Sequence, residues 1–122
     1  MTSEFKKLTT EQLEFLTATK KLKNSIFTRT RFCADIFEGM KLKKCCFEGT
    51  TFDDCNFQGT TFEKCCFDRA EFDGCNFENS YFQNCYFYDC VFEGIDFENA
   101  TFEGCIFNHA IINDCVAVPA GM

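Results

Sequence analysis

From Phe27 to Ile112 every fifth residue is apolar, eighteen times without a slip, and sixteen of the eighteen are Phe, with Leu42 and Ile112 the exceptions. A period of five fits neither the 3.6-residue turn of a helix nor the two-residue alternation of a simple strand. Two residues before each of these positions runs a second register of mostly small residues, for example Cys45, Thr50, Cys55, Thr60, Cys65 and Ala70. Two residues after them, Gly39, Gly49, Gly59, Gly74, Gly94 and Gly104 alternate with Asn79, Asn84 and Asn99. Gly and Asn are what a corner with positive φ selects. The residue directly after the Phe is usually acidic, as at Glu48, Asp53 and Glu63.

Residues two apart face the same side of an extended chain, so the small residue and the Phe both point inward before each corner. Four such steps with four corners close a square coil of twenty residues, and eighteen steps make four and a half coils. The predicted fold is an all-β solenoid, a quadrilateral β-helix. Because each coil contacts only its neighbours, both ends need covering.

This double register resembles the pentapeptide-repeat family over residues 25–115. The resemblance implies a right-handed quadrilateral β-helix. The family's usual central residue is Leu or Phe and its commonest small inward residue is Ala. Here Phe dominates and Cys often replaces Ala, which changes the filling and not the geometry. Upstream, "LTTEQLEFLTATKKLKN" reads as a short N-terminal α-helix, with Thr9 and Gln12 forming a cap and Leu8 and Leu13 a staple. The expected organisation is therefore a capping helix within 1–24, the β-helix over 25–115, and a C-terminal tail over 116–122. Ile111, Ile112, Val116 and Val118 lie near the apparently open last coil. The resemblance implies a homodimer formed through the C-terminal coils, and these four residues are its candidate surface.

Eleven cysteines in 122 residues raise the question of disulfides or metal. Eleven is odd, so pairing within one chain is incomplete, and no apolar run is long enough for a signal peptide or a membrane span. A reducing, cytoplasmic setting with free thiols is expected. Placed on a twenty-residue coil, Cys45, Cys65, Cys85 and Cys105 form one inward ladder, Cys55, Cys75 and Cys115 another, and Cys90 faces inward on a third side. That assigns eight of the eleven to filling. Zinc prefers closely spaced Cys pairs with His support, and His109 is the lone His, so no metal or other cofactor is expected. Cys33, Cys46 and Cys66 point outward, the last two on adjacent coils. They are the thiols that could react.

Charge separates the ends and the faces. Residues 1–46 hold ten basic against five acidic side chains (+5), and residues 47–122 hold two against fourteen (−12), which sum to the net −7. Such a body should repel nucleic acid and membrane surfaces and attract a basic protein partner. One face carries an outward ladder of Ile26, Cys46, Cys66, Tyr86 and Ile106 with Tyr88 beside it, a candidate interface. The next carries Asp53, Asp54, Glu71, Asp73, Glu93 and Asp114, a candidate acidic face. His109 should sit one coil above Asp89 as a surface ion pair. A filled solenoid without inserted loops offers no pocket, and no nucleophile, metal or phosphate-loop motif is present, so a non-enzymatic protein-binding or scaffolding module is expected. The resemblance implies an alternative, an acidic DNA mimic that binds and protects or inhibits DNA gyrase.

Overall fold

A computed structural model of the chain describes residues 3–4, 18–32 and 36–122. Each circuit of the four-sided coil takes twenty residues, because along its two sheets the strands pair in parallel with those twenty positions away, as in Leu42↔Phe62 and Phe52↔Phe72. At the N-terminal end β1 (Ser3–Glu4) lies alongside β3 (Ser25–Ile26). One side of the coil stacks β2 (Lys21–Lys23), β5 (Lys41–Lys43), β7 (Thr61–Glu63), β9 (Tyr81–Gln83) and β11 (Thr101–Glu103). The opposite side stacks β4 (Arg31–Phe32), β6 (Thr51–Asp53), β8 (Glu71–Asp73), β10 (Val91–Glu93) and β12 (Ile111–Asn113). Parallel strands joined by short crossovers wind right-handed, which yields the right-handed quadrilateral β-helix.

The two remaining sides are built differently. Single residues bridge rung to rung there, Ile26–Cys46–Cys66–Tyr86–Ile106 on one and Asn56–Asn76 and Asp96–Val116 on the other. On these sides the chain turns at once. The Thr50 N–H donates to the Phe47 carbonyl (3.1 Å) and the Ala70 N–H to that of Phe67 (2.9 Å), closing β-turns whose third residue needs positive φ. Gly49 fills that place with φ of 67°, and a Cβ there would meet Arg29 Cγ at 2.9 Å. The left-handed conformation is not confined to Gly and Asn. Lys44, Lys64, Arg69, Asp89 and His109 adopt it at equivalent corners, with φ between 55° and 63°. Their N–H groups help explain why: Lys44 donates to Glu63 O (2.9 Å) and Arg69 to Tyr88 O (2.7 Å), so bonds between rungs hold the corner against local preference.

The interior is four columns of apolar rings. Phe47, Phe67 and Phe87 stack with centroids 5.1 and 5.0 Å apart and planes 6° and 4° from parallel, whereas rings on adjacent sides meet edge to face, as Phe62 and Phe67 do at 78°. Offset stacking along a column and edge contact between columns are the two arrangements that ring quadrupoles favour. Each buried Phe contributes about 1.5–3 kcal/mol before the chain's ordering is set against it.

The solenoid begins earlier than its expected boundary at residue 25. Lys21–Lys23 is strand rather than helix, in register with Lys41–Lys43, and Leu22 stacks beneath Leu42. Leu22 stands five before Phe27, so the apolar series extends one step further back. Of the rest of the expected helix, residues 18–19 are helical and residues 8–17 lie outside the described ones.

Candidate functional site

The inward cysteines do more than occupy space. Their thiols reach carbonyls one coil below: Cys55 Sγ donates to Phe32 O (3.2 Å), Cys75 to Phe52 O (3.2 Å), Cys85 to Phe62 O (3.5 Å) and Cys115 to Phe92 O (3.4 Å). Thr50 and Thr60 make the same link to the Phe27 and Phe37 carbonyls through their hydroxyls. A small side chain with one donor thus fills the corner and satisfies a buried acceptor, which Ala cannot do. Burial pushes the Cys90 thiol up to about 12, and hydrogen bonding to the neighbouring thiols, together with burial, holds Cys65 and Cys105 well above the usual range. Cys65, Cys90 and Cys105 are thus held neutral, whereas hydrogen bonds from the same neighbours lower Cys85 to about 4 and also lower Cys45. No disulfide joins two cysteines among the described residues, and Cys33 lies outside them.

Outside the coil, Cys46 and Cys66 meet differently. They are bridge partners on consecutive rungs and half-buried, one residue along from inward Cys45 and Cys65. The hydrogen bond from the Cys66 thiol lowers Cys46 to about 7 and raises Cys66, so the pair gives up its first proton far more readily than its second. Ile26 lies one rung below them and Tyr86 and Ile106 above, bridged in one line as the sequence pattern predicts. Tyr86 and Ile106 are exposed to 47% and 36%, and the Tyr88 ring lies nearly parallel to that of Tyr86 with centroids 6.0 Å apart. The ladder is edged by polar contacts that stay outside it. Glu48 pairs with Arg69, and Asp68 accepts the Tyr88 N–H at 3.2 Å.

The acidic residues also assemble. Asp53, Asp73 and Glu93 are successive register partners on the outer side of β6, β8 and β10, and Glu71 flanks them. Asp54 and Asp114 occupy corners of the same side. Arg31 pairs with Asp53 and neutralises its lower end. Like charges in register repel, so this face is held together by the ring columns beneath and not by its own side chains.

The proposed dimer end divides. Ile111 projects from the outer side of β12, whereas Ile112 packs inward on the core above Phe92. Val116 and Val118 are exposed to 57% and 41%. Beside them the last coil opens into a recess of about 400 Å³ lined by Phe97, Phe102, Phe107, Ala117, Pro119 and Ala120, a cavity the filled-solenoid picture did not anticipate. It forms because no further rung covers Phe102. His109 and Asp89 occupy corresponding exposed corners but form no ion pair; among the described residues ion pairs join Arg31 to Asp53, Lys43 to Glu63 and Arg69 to Glu48. Side chains in full solvent gain little from pairing.

Sequence reasoning missed a basic ladder. Lys21 and Lys23 stand in register with Lys41 and Lys43, all exposed. The signal was present: "KLK" at 21–23 recurs at 41–43, one coil later. No helix among the described residues is long and apolar enough to cross a membrane, and no group of three or more His, Cys, Asp or Glu side chains converges on a metal position among them.

The profile of pentapeptide repeats (9 copies) matches residues 37–111. Among solved structures, the chain is similar to a trypsin-treated variant of QnrB1, a plasmid-mediated fluoroquinolone resistance protein, at 16% identity and a TM-score of 0.61, covering 93% of this chain and 70% of that one. A second trypsin-treated QnrB1 variant aligns at 19% identity and a TM-score of 0.49, over 78% of this chain, which spans 44% of that one's length. Rfr23, a pentapeptide repeat protein of the cyanobacterium Cyanothece 51142, aligns at 9% identity and a TM-score of 0.46, over 88% of this chain and 97% of that one. No curated protein matches the chain at a significant level.

Proposed function

The chain belongs to the pentapeptide-repeat family, and from that premise we propose that it is a non-catalytic protein-binding module presenting the Ile26–Cys46–Cys66–Tyr86–Ile106 ladder, with Tyr88, to a protein partner. The observation that carries this reading is the exposed Tyr86 and Ile106 continuing a line of apolar residues across consecutive rungs. Stacked rings are rigid anchors that lose little entropy on docking, and the filled interior leaves recognition to the outer faces. A reducing, cytoplasmic setting suits a core lined with thiols. Affinity capture with the wild type and a Tyr86→Asp, Ile106→Asp double variant tests the assignment. Partners retained by the wild type and lost by the variant support it, and partners that survive the double substitution place binding elsewhere.

A second reading draws on the carboxylates stacked along β6, β8 and β10. An acidic, rigid rod could occupy the DNA-binding surface of gyrase, as some members of the family do. The fold likeness to a fluoroquinolone resistance protein is compatible with this. Supercoiling assays with and without a quinolone decide it; neither protection nor inhibition removes gyrase as a target. In either case a second copy of the chain is proposed to close the C-terminal recess, with Val116 and Val118 at its rim. Val116→Asp with Val118→Asp should then shift a dimer to monomer in sedimentation.

A further inference from the structure

Cys46 and Cys66 lie in register on neighbouring rungs, both half-buried and both free. Rungs of a β-ladder are about 4.8 Å apart, and side chains that leave successive rungs in parallel keep roughly that separation at Cβ. A disulfide draws its Cβ atoms to about 3.5–4.5 Å, closer than the rungs rest, so joining these two sulfurs directly works against the backbone ladder. Two metal–thiolate bonds of about 2.3 Å laid end to end span about 4.6 Å, which the ladder accommodates without closing up.

The surroundings narrow the ion. Among the described residues no third His, Cys, Asp or Glu side chain converges here to build a tetrahedral or octahedral shell. The nearby carboxylates are engaged, Glu48 with Arg69 and Asp68 with the Tyr88 N–H. Thiolates select soft cations, and a closed-shell monovalent ion is content with two sulfur donors in a line. Inward Cys45 and Cys65, on the other side of the same strand, are buried and turned to backbone carbonyls, so the site ends at one ion.

We propose that Cys46 and Cys66 form a two-coordinate thiolate site for one soft monovalent cation of the Cu(I) class. Binding makes two sulfur–metal bonds and displaces the ion's previous ligands. Each thiol that still carries its proton releases it to solvent, and nothing is oxidised or reduced.

The test is an anaerobic titration of the full-length, reduced protein against Cu(I) held by a chromophoric chelator. The wild type is expected to withdraw one equivalent, and Cys46→Ser and Cys66→Ser are each expected to lose it. Cys105→Ser should keep it, as should Cys46→Met to a reduced degree, because a thioether preserves a soft donor. Circular dichroism establishes that each variant is folded. Should a serine variant fail to fold, wild type alkylated at both positions, as located by peptide mass, replaces it and must no longer bind. A wild type that withdraws no copper overturns the proposal, as does a folded serine variant or doubly alkylated protein that still withdraws the full equivalent.

Discussion

Cys65 and Cys66 are neighbours in the chain that face opposite ways, and both thiols are raised above the ordinary value. Cys65 is fully buried, donates to the Leu42 carbonyl and is held neutral; Cys66 is half-buried, bridges to Cys46 and gives it a hydrogen bond that favours the thiolate. Cys45 and Cys46 divide in the same way by exposure, Cys45 buried and Cys46 half-buried, while a hydrogen bond from the next thiol up lowers both. One residue of offset on an extended chain reverses the side chain, so a single element holds a buried and an accessible thiol back to back. Cysteine content by itself therefore says little about redox or metal chemistry; the register decides.

Breaking the inner side should cost most. Phe67 lies in the centre of a stacked column, and Phe67→Ala is expected to lose about 3–5 kcal/mol of stability, read from the shift of a urea midpoint. Tyr86→Ala, on the outer side of the same rung set, should stay within about 0.5 kcal/mol in the same measurement. The doublet gives a sharper version. Cys65→Leu overfills a corner with no space and should cost about 1–3 kcal/mol, while Cys66→Leu extends outward and should cost less than about 0.5 kcal/mol. Equal losses from the two would erase the inner–outer distinction.

Reactivity sharpens it further. Alkylation of Cys46 in the native protein should rise with pH through about 7, with Cys65 unreactive until denaturant is added. Cys66→Ala removes the donor to the Cys46 thiolate, so the midpoint should climb toward the ordinary thiol value of about 8.5. The direction follows from the charge: losing a hydrogen bond to the thiolate disfavours the charged form. An unchanged midpoint in Cys66→Ala removes the pairing as the cause. The smallest effect concerns the basic ladder, where Lys41 opposes Lys21. Lys41→Glu replaces repulsion with attraction and should stabilise by about 0.2–1 kcal/mol, falling as salt is raised.

Much of this was legible without coordinates. The five-residue apolar series, the small register before it and the Gly and Asn after it agree in phase, and only a four-sided coil satisfies all three. The inward and outward assignment of Cys45, Cys46, Cys65 and Cys66 followed from that phase, as did the line from Ile26 to Ile106. The start of the solenoid was misread because residues 8–24 carry a helix cap and good helix formers, and local preference outweighed the single apolar step at Leu22. Pairing with Lys41–Lys43 reverses that balance, since backbone bonds to an existing rung exceed a few tenths of a kcal/mol of propensity per residue.

By itself the sequence determined the period, the filling and the side from which each residue looks out, because these depend on alternation and corner chemistry within a few residues. Tertiary structure decided the rest. It made two sides sheets and two sides turns, and it imposed positive φ on Lys44, Arg69 and His109, whose own preference is otherwise. It left the last coil open beside Phe102 and placed the Cys66 thiol on the rung next to Cys46. Each of these needs a second rung twenty residues away, and no local stretch of chain contains the backbone or the partner that supplies it.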